Sequence, residues 1–206
     1  GNYRKWFGNN EHVVLYEDDG AVLLDVVSRK YPKIGNPYFV IKNRDFYFKK
    51  GIVYSLFGFE NFGVRYKEHG FIFDVSGSSI FPATDDEIKL TLAYLASSVA
   101  FFYLRALAPT VNFRVGDLAR LPLPQFPNTK IRKDMLELAE SCIALSQFDW
   151  DMHEVSWTFE TNVVLSKNGV NLEASWAKTE SEHSRRRGLL RANEEQINQM
   201  LIDVYG

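Results

Sequence analysis

Cysteine is nearly missing from this chain of 206 residues: Cys142 stands alone. A single thiol forms no intramolecular disulfide and builds no cysteine-based zinc site within one chain, and such usage suits a reducing, cytoplasmic setting. Histidine is sparse too. His12, His69, His153 and His183 are dispersed, at spacings that match no ligand pattern. No G-x-G-x-x-G occurs to cradle a dinucleotide, and no G-x-S-x-G to raise a nucleophilic serine. A long apolar run is also wanting. The nearest approach, Leu90 to Ala108, is interrupted by Thr91, Ser97, Ser98 and Arg105, so it reads as a buried helix rather than a membrane span. The front carries no Met and no charged-then-apolar leader. It opens on Gly1-Asn2-Tyr3-Arg4-Lys5-Trp6, which leads us to expect an excised piece of a longer protein.

What is present is a core's worth of apolar residues and an uneven charge. Hydrophobic residues make up 46% of the chain and aromatics 15%, enough to exclude wholesale disorder. Residues 1–133 hold 18 Lys and Arg against 13 Asp and Glu, a net of +5, while residues 134–206 hold 6 against 13, a net of −7. The overall −2 therefore conceals a front half suited to a polyanion and a rear half that is not.

The front half reads as strands and turns. His12 to Tyr16 is predicted as a strand, turned at Asp19-Gly20 into a second over Ala21 to Val27. Phe46-Tyr47-Phe48 and Gly51-Ile52-Val53-Tyr54 look like a further pair. Arg65-Tyr66 and Phe71-Ile72-Phe73 flank a turn at Glu68-His69-Gly70. The period then changes. Thr84-Asp85-Asp86-Glu87 is a capping box, and Ile88, Leu92, Leu95, Val99 and Phe102 recur at helical spacing. One helix over 85–107 is predicted, stopped by Pro109. Past the Leu121-Pro122-Leu123-Pro124 exit, Ile131, Met135, Leu138, Cys142 and Leu145 mark a second amphipathic helix. An aromatic run through Trp150, Trp157 and Phe159 follows, and a last helix is predicted from Asn193, with Ile197, Met200, Leu201 and Val204 on one face.

Candidate chemistry is thin. Asp149-Trp150-Asp151-Met152-His153 is the best metal-like cluster, but a solvated loop anchored by Trp150 explains it better. A nuclease built on Asp149, Asp151 and Glu154 is the corresponding rival. Asn36-Pro37-Tyr38 reads as a turn. The cations say more. Arg29, Lys30 and Lys33 surround Tyr31-Pro32; Lys42, Asn43 and Arg44 precede the aromatic run, which Lys49 and Lys50 close; Arg65 and Lys67 flank Tyr66. Lysines and arginines on loops neutralise phosphates, while Arg and Asn read base edges.

The motifs in order resemble a known family. Arg4-Lys5-Trp6-Phe7-Gly8-Asn9-Asn10, then Phe46-Tyr47-Phe48-Lys49-Lys50-Gly51-Ile52-Val53-Tyr54-Ser55, then Arg65 with Gly70-Phe71-Ile72-Phe73-Asp74 and Gly77 are similar to the C-terminal specificity region of adenine-specific DNA methyltransferases of the PglX kind. These belong to BREX phage-defence systems, and related type IIG restriction–modification enzymes share the region. Phe148-Asp149-Trp150-Asp151, Ser156-Trp157 and Asn193 to Gly206 extend the resemblance. The middle helix with its Leu-Pro-Leu-Pro exit resembles type I specificity subunits.

The resemblance implies an α+β fold, with a target-recognition domain over 1–127 that includes a connecting helix 85–107, and a helical docking region over 128–206. Its expected partners are double-stranded DNA, the parent's catalytic methyltransferase domain and further defence-system subunits. The DNA-binding set expected is Arg29, Lys30, Lys33, Lys42, Asn43, Arg44, Lys49, Lys50, Arg65 and Lys67, with Arg44 or Arg65 reading bases. No catalytic residue and no metal site are assigned. S-adenosylmethionine is expected to be held by the parent outside this piece, because neither its glycine-rich motif nor an Asn-Pro-Pro-Tyr loop occurs here. The rival from another class is a protein-interaction module using Trp150, Trp157 and Trp176.

Overall fold

The computed structural model describes residues 3–58, 61–108, 110–126, 129–166 and 171–205. Pro109, the expected helix stop, and the expected domain boundary at 127–128 lie outside them. The architecture is α+β: a small antiparallel sheet packs on a helical layer that occupies most of the chain.

The sheet has the order β2–β1–β3, with β1 at Gly51–Tyr54, β2 at Val64–Lys67 and β3 at Ser79–Ile80. Gly51 faces Lys67 and Val53 faces both Arg65 and Ser79. Alternation sorts the two faces. Ile52, Tyr54, Val64 and Tyr66 form one side, all in the buried core, and the sheet meets the helix α2 (Asp85–Ala96). The Tyr66 hydroxyl donates to Asp85 at the start of α2 (2.8 Å), fixing strand to helix. Each fully buried aliphatic or aromatic side chain contributes about 1.5–3 kcal/mol relative to exposure.

The first turn of α2 is the predicted capping box. Thr84 Oγ1 accepts from the Glu87 amide (3.2 Å), and Glu87 Oε2 accepts from the Thr84 amide (3.1 Å). The single helix predicted over 85–107 is, however, two. After α2 the chain bends by 70° into α3 (Ser98–Leu107). Ser97 makes the bend. Its backbone is extended, its hydroxyl donates to the Tyr94 carbonyl (2.6 Å), and the same oxygen accepts from the Ala100 amide (3.1 Å). One serine thus closes one helix and caps the next. Among the described residues no single helix is long and apolar enough to cross a membrane.

A one-turn helix α4 (Val115–Leu118) leads to α5 (Thr129–Asp151), which packs on α2; after the short α6 (Val163–Ser166), α7 (Leu172–Tyr205) packs along α5. Met135, Ala139, Cys142, Ile197 and Leu201 from these helices join the same core cluster as Ile52 and Leu92. The last helix starts at Leu172 rather than Asn193. Apart from Leu172 and Trp176 its first half is mostly polar, carrying pairs such as Glu182–Arg186 and Glu180–Arg187, so no apolar period announces it.

The front departs most from expectation. Ala21 to Val27 is not a strand but part of helix α1 (Ala21–Lys30), and His12 to Tyr16 has no regular structure. The Asp-Gly signal marks the start of a helix instead of a hairpin. Asp18, Asp19 and Gly20 are all left-handed (φ 47°, 56° and 80°) and turn the chain into α1. Phe46-Tyr47-Phe48 is likewise no strand, since a 3-10 turn spans Arg44–Phe46 and Phe48 has φ 62°. β1 therefore pairs with Val64–Lys67, and Phe71 to Phe73 follow without strand pairing.

Candidate nucleic-acid interface

Most of the expected cations lie on one stretch outside the core. Of residues 11–50, only Gly20 and Tyr47 are buried. Within it, residues 29–50 hold seven Lys and Arg against one acid, Asp45. Helix α1 supplies Arg29 and Lys30 in its last turn. Two 3-10 turns, Pro37–Phe39 and Arg44–Phe46, then fold the chain back toward β1. Asn36 caps the first of them by accepting from the Tyr38 amide (2.9 Å), which is the turn the sequence predicts there.

The cations differ in freedom. Lys33 and Lys42 are exposed. Arg29 is exposed but bound to Asp25 one helical turn away (3.0 and 2.7 Å). Lys30 lies over the Tyr31 ring (5.5 Å) and Lys49 over Phe46 (5.2 Å), both cation–π contacts that leave the ammonium able to meet a phosphate. Lys50 stands 3.6 Å from Glu68 and 3.8 Å from Asp85. Asn43 takes the left-handed conformation that opens the second turn (φ 57°).

Arg44 is committed inside the chain. Its guanidinium donates to the Tyr16 hydroxyl (3.1 Å) and the Asp19 carbonyl (2.6 Å), pairs with the Asp19 carboxylate, and covers the Tyr38 ring (5.2 Å). It clamps the left-handed turn ahead of α1 to the 3-10 turn ahead of β1.

Arg65 and Lys67, the remaining members of the expected DNA-binding set, lie in β2 with exposures of only 6% and 5%, apart from the exposed stretch. Arg65 donates from one Nη to the Arg4 carbonyl (3.4 Å) and the Ser55 hydroxyl (3.2 Å), and its Nε finds no acceptor among the described residues. Burial, with the like charge of Arg4, lowers its guanidinium to about 10. The Lys67 ammonium sits between the Phe73 and Phe81 rings (5.1 and 4.6 Å) with no hydrogen-bond partner among the described residues. Burial lowers it to about 8.

The rear half uses its candidate residues structurally. Asp149 accepts from Arg4 (2.6 Å) and lies 3.1 Å from His183 Nε2. Burial pushes its carboxyl up, and the hydrogen bonds from His183 and Arg4 more than reverse this, leaving it below the usual carboxylate range. Asp151 accepts from the Ser156 hydroxyl (2.7 Å). Among the described residues no group of three or more metal-ligating side chains converges. Trp150 is buried, whereas Trp157 and Trp176 are exposed; Trp176 lines an apolar groove of about 660 Å³ with Val164, Leu165 and Leu172. The ties of the N-terminal strip to α7, Lys5 and Trp6 on Glu194 (2.6 and 2.7 Å), join residues far apart in sequence and carry no local signal.

No family model matches the chain. It is 32% identical over 211 residues to the adenine-specific methyltransferase PglX of Lacticaseibacillus casei strain Zhang, a match that covers 100% of this chain and 17% of that protein. It is 30% identical over 209 residues to the adenine-specific methyltransferase BrxX of Escherichia coli O9:H4 strain HS, covering 100% of this chain and 16% of that one. The chain spans about one sixth of the length of these relatives.

Proposed function

Because this chain is a section of a PglX-like protein at about 30% identity, we propose that it selects the duplex DNA site at which the parent modifies adenine. The observation that carries the reading is the excess of seven cations over one acid on the exposed stretch 29–50. In this reading Lys30, Lys33, Lys42 and Lys49 neutralise phosphates, and Asn43, at the tip of a left-handed turn, is the polar side chain offered to base edges. Arg44 acts by shaping that stretch. Arg65 and Lys67, buried in β2, stay out of the contact in this reading. One good bidentate base contact discriminates by about 1–3 kcal/mol, so few are required. The chosen adenine is then turned out of the stack into a pocket elsewhere in the parent. Methyl transfer from S-adenosylmethionine is assigned there as well.

Salt-dependent binding of a labelled duplex by the full parent polypeptide tests this. Replacing Lys30, Lys33, Lys42 and Lys49 by Ala reduces the slope of log K against log salt by about 0.9 for each phosphate that is no longer neutralised. An unchanged slope takes the stretch out of the interface.

A second reading concerns the rear half. The exposed apolar groove at Leu165, Leu172 and Trp176, on a half with a net charge of −7, favours protein docking there over DNA. Capture of a partner by the parent that is abolished by Trp176→Ala, with DNA binding intact, is the result expected of it.

A further inference from the structure

Helix α1 has the composition of a core helix, yet only Leu23, Leu24 and Val27 are as much as half-buried. Six of its ten residues are aliphatic, Ala21, Val22, Leu23, Leu24, Val26 and Val27, and none is buried. Val22 and Val26 are 48% and 52% exposed. By contrast α2, two residues longer, buries seven of its twelve. Ten residues are too few for a helix to persist in water on propensity alone, and β-branched valines make a weak helix weaker. Yet α1 packs chiefly on the 3-10 turns at Glu17–Gly20 and Pro37–Phe39, in which Gly20 alone is buried. Val13, Val14 and Leu15 before it, and Phe39 and Val40 after it, are also more than 40% exposed. Scattered surface apolar residues need no explanation, but this concentration on one helix and its flanks does.

We propose that α1 docks into an apolar groove on the part of the parent polypeptide that lies outside this chain. The relatives are about six times as long as the section matched here, so most of the surface available to α1 belongs to the same polypeptide. Duplex DNA suits the helix poorly: its body is aliphatic, it carries Asp25, and its cations are confined to Arg29 and Lys30 at the end. That end gives the docking its consequence. With the body of α1 held by the parent, the basic stretch that begins at Arg29 is fixed in orientation, and the Arg44 clamp passes that constraint to the turn ahead of β1. The proposal rests on membership of a PglX-like protein and stands whether or not the stretch contacts DNA.

A photo-crosslinking amino acid in place of Val26 in the full parent polypeptide tests it, read by mass spectrometry with and without duplex DNA. The expected product is an internal crosslink from position 26 to a residue outside this chain, formed equally in both conditions. A crosslink to a second polypeptide, to DNA, or to nothing overturns the proposal. As a second measurement, Val22→Asp with Val26→Asp accelerates tryptic cleavage after Arg29, Lys30 and Lys33 in the full polypeptide at least tenfold, while cleavage elsewhere keeps its rate. Equal rates at those three positions also overturn it. Loss of the salt-slope effect with the internal crosslink retained would discard DNA recognition and leave the docking in place.

Discussion

The Lys67 ammonium and the Phe81 ring meet across the sheet, 4.6 Å apart, over a residue that has no side chain. That residue is Gly51, which faces Lys67 in the β1–β2 register. A Cβ on Gly51 would lie 2.5 Å from the Ile80 carbonyl oxygen and 3.0 Å from the Phe81 ring. The glycine is there to make room, since its own φ is not in the left-handed range.

Gly51→Ala is accordingly expected to destabilise the chain by about 1–3 kcal/mol, the usual cost of forcing atoms into a packed site. The backbone carbonyl of Ile80 is the near neighbour and yields less readily than a side chain. Urea denaturation followed by tryptophan fluorescence measures it, and Gly77→Ala, whose Cβ would meet Val53 at an ordinary 3.4 Å, is the mild comparison.

Lys67 makes stability depend on pH in an unusual direction. Its folded-state value, about 8, lies below the ordinary 10.5 because burial disfavours the charged form. Between those values the unfolded chain binds a proton that the folded chain has released, so this residue's contribution to stability rises with pH across about 8 to 10.5. Below pH 8 the cost of the buried charge is borne in full. Lys67→Met fills the space without the charge and is expected to gain stability at pH 7 and lose the rise above pH 8. Urea midpoints of both proteins at pH 7, 8.5 and 10 supply the test: parallel curves would remove Lys67 as the cause.

Arg44→Ala should loosen the front without unfolding the core. Tyr16, Asp19 and Tyr38 are deprived of the one group they share, and the left-handed pair Asp18–Asp19 is left without the donor that holds it. Non-glycine residues in such conformations cost of order 1–3 kcal/mol and persist only when neighbours impose them. Amide exchange in residues 16–30 is expected to speed at least tenfold, with exchange in α2 and α5 unchanged.

How much of the fold is legible in the sequence depends on where each signal resides. The α2 cap is readable because Thr84 and Glu87 make each other's hydrogen bonds three residues apart. β1 is readable from Gly51 to Tyr54, and β2 around Arg65-Tyr66, since both carry β-branched or aromatic residues. The break at Ser97 is hidden because the apolar period runs straight through it. Helix α1 reads wrongly as a strand because Ala21 to Val27 is short and apolar, a pattern shared by strands and helices, and the turn before it is decided by Arg44, 25 residues away. At the candidate interface the sequence locates the basic stretch, but the burial of Arg65 and Lys67 follows from strand pairing that no local pattern shows.

The bend at Ser97 has a reach beyond its two helices. Asn198, near the end of α7, accepts from both the amide (2.8 Å) and the hydroxyl (3.0 Å) of Ser98. The elbow is therefore braced from outside, like a hinge pinned by a third beam. The turn between α2 and α3 is thereby tied to the final helix through side chains a hundred residues apart in sequence.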